Sequence, residues 1–287
     1  MRWTAQNVRL GDHEWAFGQP TVGPSELVTA RLVQLTSDLL GPLDGLRVLD
    51  LACLEGLYGL ELAMHGAEVL AIEGREQNAA KVRHAAERLC PARFEVRVED
   101  VRELDPARHG TFDVVLCLGI LYHLDGPDAI GLAEAVAACT RRLAIVRTTI
   151  GLRRTTPISH RGREYKGFTY PEQGGPWAGI GNPTSFWPTR ASLLNLLADV
   201  GFTSVLEAVA PPVMAIDGAE DATFLACLKG SPASTLAAPP ESAPRYLATR
   251  WPENHKPDRH PVSRVGGGIR SRLTSRRYWR RRMRASQ

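Results

Sequence analysis

No Cys-x-x-Cys pair occurs in the chain, and its five cysteines, Cys53, Cys90, Cys117, Cys139 and Cys227, are odd in number and widely separated. That spacing argues against a disulfide framework and against a zinc centre, so no metal is expected. Runs of roughly 18 apolar residues, the length needed to cross a bilayer as a helix, are also missing. The opening residues, MRWTAQNVRLGDHEW, contain no apolar signal region. Together these absences lead us to expect a reduced, cytoplasmic protein. Aromatic residues are scarce at 7%, which makes any local concentration of them informative. Two nucleotide fingerprints are missing as well. No G-x-G-x-x-G occurs, and no glycine-rich loop ends in Gly-Lys-Ser/Thr.

What is present divides the chain in two. Residues 231–287 hold 13 Lys and Arg against 3 Asp and Glu, so the first 230 residues hold 22 basic and 28 acidic groups. The overall charge of +4 therefore belongs to the tail, and the body is mildly acidic. An acidic body disfavours a broad nucleic-acid face on the globular part. SPASTLAAPPESAP reads as a linker, and the last 26 residues carry nine arginines and no acid. There Ile269, Leu273, Trp279 and Met283 fall loosely at helical spacing. The tail is expected to be disordered, or to lie on an anionic membrane or polymer as a basic amphipathic helix.

The body alternates strand and helix. LRVLDLA (46–52), AEVLAI (67–72), FDVVLCLGI (112–120) and RLAIVRTT (142–149) are apolar runs of the kind buried on both faces of a parallel sheet. RFEVRVED (93–100) alternates and ends in acids, a further strand. Helical patterns occupy 25–40, 57–65, 75–89, 127–139 and 189–201. SVLEAVA (204–210) and TFLACLK (223–229) are placed for antiparallel pairing. The expectation is an α/β, doubly wound, mostly parallel seven-stranded sheet with an antiparallel last strand. Residues 1–45 would be an N-terminal segment and helix covering the site, 46–230 the main domain, and 231–287 linker and tail. Residues 151–188 show no clear period and are rich in Gly, Pro, Arg and aromatics, which suggests a substrate lid inserted in the domain. A surface loop with chance aromatics is the alternative.

In such sheets ligands collect at the carboxyl ends of the strands, so the loop after the first strand, VLDLACLEGLYG, carries the functional question. This stretch resembles the first motif of class I S-adenosylmethionine-dependent methyltransferases, D-x-G-x-G-x-G. Asp50 matches the acid, and Ala52, Leu54 and Gly56 stand at the glycine positions, where only the last is kept. Leu54 is the departure that bears on the loop's backbone angles. Glu73 ends the second strand 23 residues after Asp50, where a carboxylate can accept ribose hydroxyls. The resemblance implies S-adenosyl-L-methionine as cofactor, held by Asp50, Ala52, Cys53, Gly56, Glu73, Gly74, Asp100, Val101 and Leu118. Asp100 is equally readable as an N-cap.

LDLACLEGLYGLELA, IEGRE, DVREL, FDVVLCLGILYHLDGPD and NPTSFWPTRASLLNLLADVGF together make the chain similar to relatives of the tRNA wobble-uridine carboxymethyltransferases, over roughly residues 7–229. Tyr122 then stands against the transferred group. His123 follows the fourth strand and is the candidate base if a proton must be removed, or else it bonds the loop backbone. His160 is read as an exposed loop residue. Tyr165, Trp177, Asn182 and Phe186, with Arg161, Arg163, Lys166 and Trp187, would line an acceptor site, aromatic walls with a few cations. Three activities stand open: methylation of a small or medium-sized acceptor such as a sugar or secondary metabolite, modification of tRNA, and a catalytically inactive binding protein that docks through its tail.

Overall fold

The computed structural model describes residues 1–19, 24–152, 155–172, 174–175, 178–208, 219–221 and 224–230. The linker and arginine-rich tail, and Trp177, lie outside the described residues. The central sheet has seven strands: β1 (Arg47–Leu51), β2 (Glu68–Glu73), β3 (Phe94–Val98), β4 (Phe112–Leu118), β5 (Thr140–Arg147), β6 (Ser204–Ala208) and β7 (Phe224–Leu228). Their spatial order is β6-β7-β5-β4-β1-β2-β3. Every neighbouring pair is parallel except those of β7, which runs antiparallel to both β5 and β6. The expected sheet, with its antiparallel last strand, is the one found.

Among the described residues six helices accompany it: α1 (Pro24–Leu40), α2 (Leu57–Met64), α3 (Glu76–Leu89), the single turn α4 (Pro106–His109), α5 (Gly126–Cys139) and α6 (Arg190–Asp199). Successive strand residues point to opposite faces. Val48, Val69, Val114 and Leu116 pack with Val28 and Leu32 of α1 and Leu62 of α2. Their neighbours Leu49, Leu70, Val115 and Cys117 pack with Leu132 and Val136 of α5 and Leu193 and Leu197 of α6. Both faces are covered, which is why these strands read as unbroken apolar runs. Asp125 caps α5 and Thr189 caps α6, each accepting the N–H of the residue three further on, and Gly201 follows α6 with φ 104°. No helix among the described residues is long and apolar enough to cross a membrane.

Residues 151–188 differ from expectation by being regular. They hold a three-stranded antiparallel sheet of Thr155–His160, Arg163–Pro171 and Thr184–Pro188. The first two strands are joined by Arg161 and Gly162, both at positive φ (48° and 77°). That is the geometry of a tight hairpin turn, for which Asn-Gly or Asp-Gly is the recognisable signal and Arg-Gly is not.

The N-terminal region also departs from expectation, because α1 covers a sheet face and only the first residues approach the strand ends. Glu55, fully buried in the loop after β1, anchors them. Its carboxylate accepts the backbone N–H groups of Thr4 (2.8 Å), Ala5 (2.9 Å) and Gln6 (2.8 Å) and the Lys81 ammonium of α3 (2.6 Å). Burial alone would raise its pKa, but the Lys81 bond and the N-terminal donors outweigh it and hold the group below the usual glutamate range. Lys81→Met should therefore cost about 3–5 kcal/mol in urea unfolding, since it strands a buried carboxylate. Adding Glu55→Gln to it should recover part of the loss.

Asp50, one residue before the end of β1, is likewise buried, and its Oδ2 accepts the Gly59 N–H of α2 at 3.0 Å. A Cβ on Gly59 would stand 2.8 Å from that oxygen, so strand and helix meet here without room for a side chain. Burial pushes the Asp50 carboxyl up to about 7, only partly opposed by the Gly59 bond. The folded state holds this proton more tightly than the unfolded chain. The stability it contributes is full below about pH 4. It is lost as pH rises through about 7. Asp50→Asn keeps the acceptor and removes the titration. Chemical denaturation across that window should give a flatter pH dependence than the wild type.

Candidate active site

The order of strands reverses at β1, whose successors β2 and β3 lie to one side and β4 to the other, and the crevice at the carboxyl ends of β1 and β4 is where such sheets take ligands. The loop after β1 enters it with Ala52 at φ 51°, Leu54 at φ 60° and Gly56 at φ 88°. All three positions keep the left-handed backbone that glycine would give, although two carry side chains. Each such non-glycine residue costs about 1–2 kcal/mol. Hydrogen bonds hold the loop there. Cys53 N–H donates to Ile72 carbonyl (3.1 Å), Leu54 N–H to Glu73 Oε2 (2.9 Å) and Gly56 N–H to Cys53 carbonyl (2.9 Å). Glu55 and Leu57 both donate to the side-chain oxygen of Gln6 at 3.1 Å.

Five consecutive N–H groups, 53 to 57, are thus used within the protein. Phosphate-cradling loops work by aiming such groups at the ligand. This loop has none of those five to offer, so its chemistry suits a ligand without a pyrophosphate. Cys53 is buried beneath it, and burial drives its thiol far above the ordinary range, so it supplies no thiolate.

Glu73 ends β2 facing the loop and is 4% exposed. Oε1 accepts Arg75 N–H (3.0 Å) and the Asn78 amide (3.2 Å), while Oε2 accepts Leu54 N–H. A carboxylate has about four acceptor positions, so Oε2 keeps one for a hydroxyl. Burial raises its pKa, against the pull of these three donors. Of the three acids expected at the cofactor, Glu73 faces the loop at the end of β2, whereas Asp50 is enclosed beneath the loop and braces α2 instead.

Asp100 caps the turn Val101–Glu103 through Arg102 N–H (3.0 Å) and pairs with the Arg102 guanidinium, which holds its pKa down. The capping reading of Asp100 is realised. Arg102 also donates to the Ile180 carbonyl (3.1 Å), and Arg75 to the Ala178 carbonyl (2.8 Å). Residues 178–182 of the insertion are thereby drawn over the strand ends. A Cβ on Gly74 would lie 2.6 Å from Ile180 Cδ1, so the bare glycine beside Glu73 faces this segment directly.

At the end of β4, Leu118 is partly exposed and Gly119 turns at φ 88°, its N–H on the Arg147 carbonyl (3.0 Å). The turn Leu121–His123 follows. The insertion grips it at three carbonyls: Trp187 Nε1 donates to Tyr122 (3.0 Å), the Asn182 amide to His123 (2.9 Å) and Phe186 N–H to Leu124 (2.7 Å). The Tyr122 and His123 rings lie 4.4 Å apart between centroids. His123 Nδ1 stands 3.4 Å from Oε1 of Glu172, an acid at the end of strand Arg163–Pro171. Burial lowers the histidine's pKa and Glu172 opposes that shift.

Among the described residues, the expected acceptor residues do not converge, and Trp177 lies outside them. Tyr165 is buried among Ile130, Ala133 and Leu196, with its hydroxyl donating to Asp199 (2.9 Å), so it is a core residue under α5 and α6. Phe186 is buried against Gly167. Asn182 does bond the turn at His123, and its Oδ1 is buried without a partner among the described residues. His160 is no loop residue; it ends a strand and bonds Glu134 at 2.9 Å. Among the described residues 155–172, the insertion's cations are taken up by its own surroundings: Arg161 by Glu134, Arg163 by Asp199 and Lys166 by Glu164. Glu172, Arg75 and Arg102 were not foreseen. For Glu172 the one available signal was its isolation, as no other acid lies between Glu164 and Asp199.

Comparison with known proteins bears on this crevice. Residues 48–143 match the family described as a methyltransferase domain. A ubiquinone biosynthesis O-methyltransferase from Xanthomonas oryzae pv. oryzae is 32% identical over 135 residues, 47% of this chain and 53% of that protein. The chain spans about half the length of the curated relatives it matches. Among solved structures, the N-terminal domain of EvdMO1 with SAH bound superposes with a TM-score of 0.59 at 26% identity, over 70% of this chain and 81% of that one. The same domain in the presence of SAH and D-fucose gives 0.64 at 23% identity, over 79% and 91%. The fold is that of the class I methyltransferases, and residues 48–143 match their methyltransferase domain.

Proposed function

We propose that the protein is an S-adenosylmethionine-dependent methyltransferase acting on a small or medium-sized hydroxyl-bearing acceptor, a sugar or secondary metabolite. One observation carries this reading. At the switch point of the sheet, a loop with glycine-type backbone but no N–H groups to give a phosphate faces a buried acid with one acceptor position left. A nucleoside without pyrophosphate fits such a crevice and a dinucleotide does not. The similar domain crystallised with SAH bound, and in the presence of SAH and D-fucose, and the O-methyltransferase relatives support both cofactor and acceptor class.

S-adenosylmethionine supplies an activated methyl carbon on a sulfonium, so the protein's task is orientation and exclusion of water. Glu73 takes a ribose hydroxyl, and Gly74, with Ile180 packed directly on it, borders the crevice beside that acid. Val101, buried behind Asp100, forms the far wall, and Leu118 with bare Gly119 opens the end of β4 to the methyl group. The segment 178–182, held by Arg75 and Arg102, covers the crevice. His123 holds the proton of the acceptor hydroxyl, and the unpartnered Asn182 Oδ1 accepts from the acceptor beside it. Within the class we align the chain with relatives of the tRNA wobble-uridine enzymes, on its LYH and N-x-x-x-F-x-P segments, while its acidic body favours an uncharged acceptor over tRNA. All five cysteines are free, which suits a reducing, cytoplasmic setting.

Two measurements test the reading. Glu73→Ala should weaken S-adenosylmethionine binding by about 1–3 kcal/mol in calorimetry, through loss of a charge-assisted hydrogen bond and of the loop's anchor. Unaltered affinity removes Glu73 from the site. Deletion of residues 231–287 should leave that affinity as it was, because every group assigned to the cofactor crevice lies before residue 183; a large loss would move the domain boundary.

A further inference from the structure

The geometry points to Glu172 as the positioning residue that makes His123 a base, so that the base is assembled from two parts of the chain, the turn after β4 and the inserted sheet. This rests on the reading under Proposed function and goes further, since it assigns a role to an acid outside the methyltransferase motifs and fixes which imidazole nitrogen meets the acceptor.

The main chain holds both partners. His123 N–H donates to the Ile120 carbonyl (2.9 Å), and its own carbonyl receives the Asn182 amide (2.9 Å). On the other side, Glu172 N–H donates to the Pro183 carbonyl (2.9 Å), one step beyond the paired residues Pro171 and Thr184. Neither residue can slide without breaking these bonds. Between them lie 3.4 Å from Nδ1 to Oε1, with the Glu172 side chain 8% exposed and that of His123 24%. Catalytic hydrogen bonds are often this long before substrate arrives and tighten on binding.

Chemistry then decides the tautomer. An ionised carboxylate only accepts, and a neutral imidazole carries one N–H. The contact therefore requires the proton on Nδ1 and leaves the Nε2 lone pair for an acceptor hydroxyl, the arrangement in which a carboxylate orients a histidine base. When the acceptor O–H bond breaks, Nε2 takes the proton and the imidazolium stays beside the carboxylate.

Few other charges face this ring. Arg75, at the start of α3, disfavours its protonation. Asp125, two residues on, is engaged by the Asp128 N–H of α5. The strand Thr184–Pro188 presents no ionisable side chain, and segment 178–182 contributes backbone and the Asn182 amide. Tyr122 lies against the ring at 4.4 Å. Burial keeps the imidazole neutral near pH 7 while Glu172 limits how far its basicity falls. Without that acid the ring would lose both its orientation and part of its affinity for the proton.

The test needs no acceptor. In long-range proton–nitrogen correlation spectra of the full chain, the eight histidines are resolved and His123 is assigned by a His123→Asn variant. Neutral His123 should show its proton on Nδ1. Glu172→Gln, which retains an acceptor oxygen but not the charge, should keep that tautomer and titrate at lower pH. Glu172→Ala should lose the tautomer preference and titrate lower as well. A wild-type proton on Nε2, or a preference that survives Glu172→Ala, overturns the assignment. Calorimetry with S-adenosylmethionine runs in parallel, with affinity expected to stay within about twofold in both variants. A wild type that fails to bind sinks the methyltransferase reading, whereas sound binding with the wrong tautomer sinks the Glu172–His123 pair alone.

Discussion

The carboxylate of Glu73 fixes the backbone of a loop that its own residues would not choose. Leu54 at φ 60° is strained by about 1–2 kcal/mol, and its N–H is the donor that Oε2 receives at 2.9 Å. A hydrogen bond to a charged group contributes about 1.5–3 kcal/mol, enough to offset that strain. Ala52 is strained in the same sense, and the neighbouring Cys53 N–H is tied to the Ile72 carbonyl of β2. Strained backbone persists where its surroundings over-determine it. Here β2 holds the loop from one side, and the N-terminal residues, through Gln6 and the Glu55 network, hold it from the other. The groups that shape the loop thus form the cofactor crevice at the same time.

Much of the fold was legible because burial on two faces writes itself into composition. The strands of the central sheet are apolar runs, and their boundaries fell within a few residues of the patterns. Caps were legible too, since Thr189 and Gly201 act through local chemistry that depends on nothing distant. The inserted sheet was not. Its strand Thr155–His160 is largely exposed, so no alternation marks it, and its hairpin turn uses Arg161, a residue that rarely takes positive φ. The candidate site divides along the same line. Glu73 could be found by its distance from Asp50, whereas the burial of Tyr165 and Phe186 and the approach of Glu172 to His123 depend on how the inserted strands pair.

Asp50 and Asp100 show why a motif does not fix a contact. Both stand where the resemblance places cofactor acids. In the fold one is sealed beneath the loop against Gly59, and the other is occupied by Arg102. Each acts on the crevice through what it holds, α2 in the first case and the arginine that draws down segment 178–182 in the second. A residue type can be retained at a site's edge because the wall needs it, with no direct touch on a ligand.

The size and charge of the proposed acceptor are constrained by where the described cations lie. A polyanion such as tRNA is held mainly by Lys and Arg on phosphates, several of them at once. In the inserted sheet, Arg161, Arg163 and Lys166 each sit on an acid of their own surroundings, and Arg75 and Arg102 are spent on carbonyls and acids that close the lid. Recruiting any of them to a phosphate would first break one of these contacts. Near His123 the polar groups are instead few and negative in sum: one carboxylate, one neutral imidazole and the amide oxygen of Asn182, which has no partner among the described residues. Hydroxyls satisfy such a set and phosphates do not, so the walls of the site argue for a compact, uncharged, oxygen-bearing acceptor.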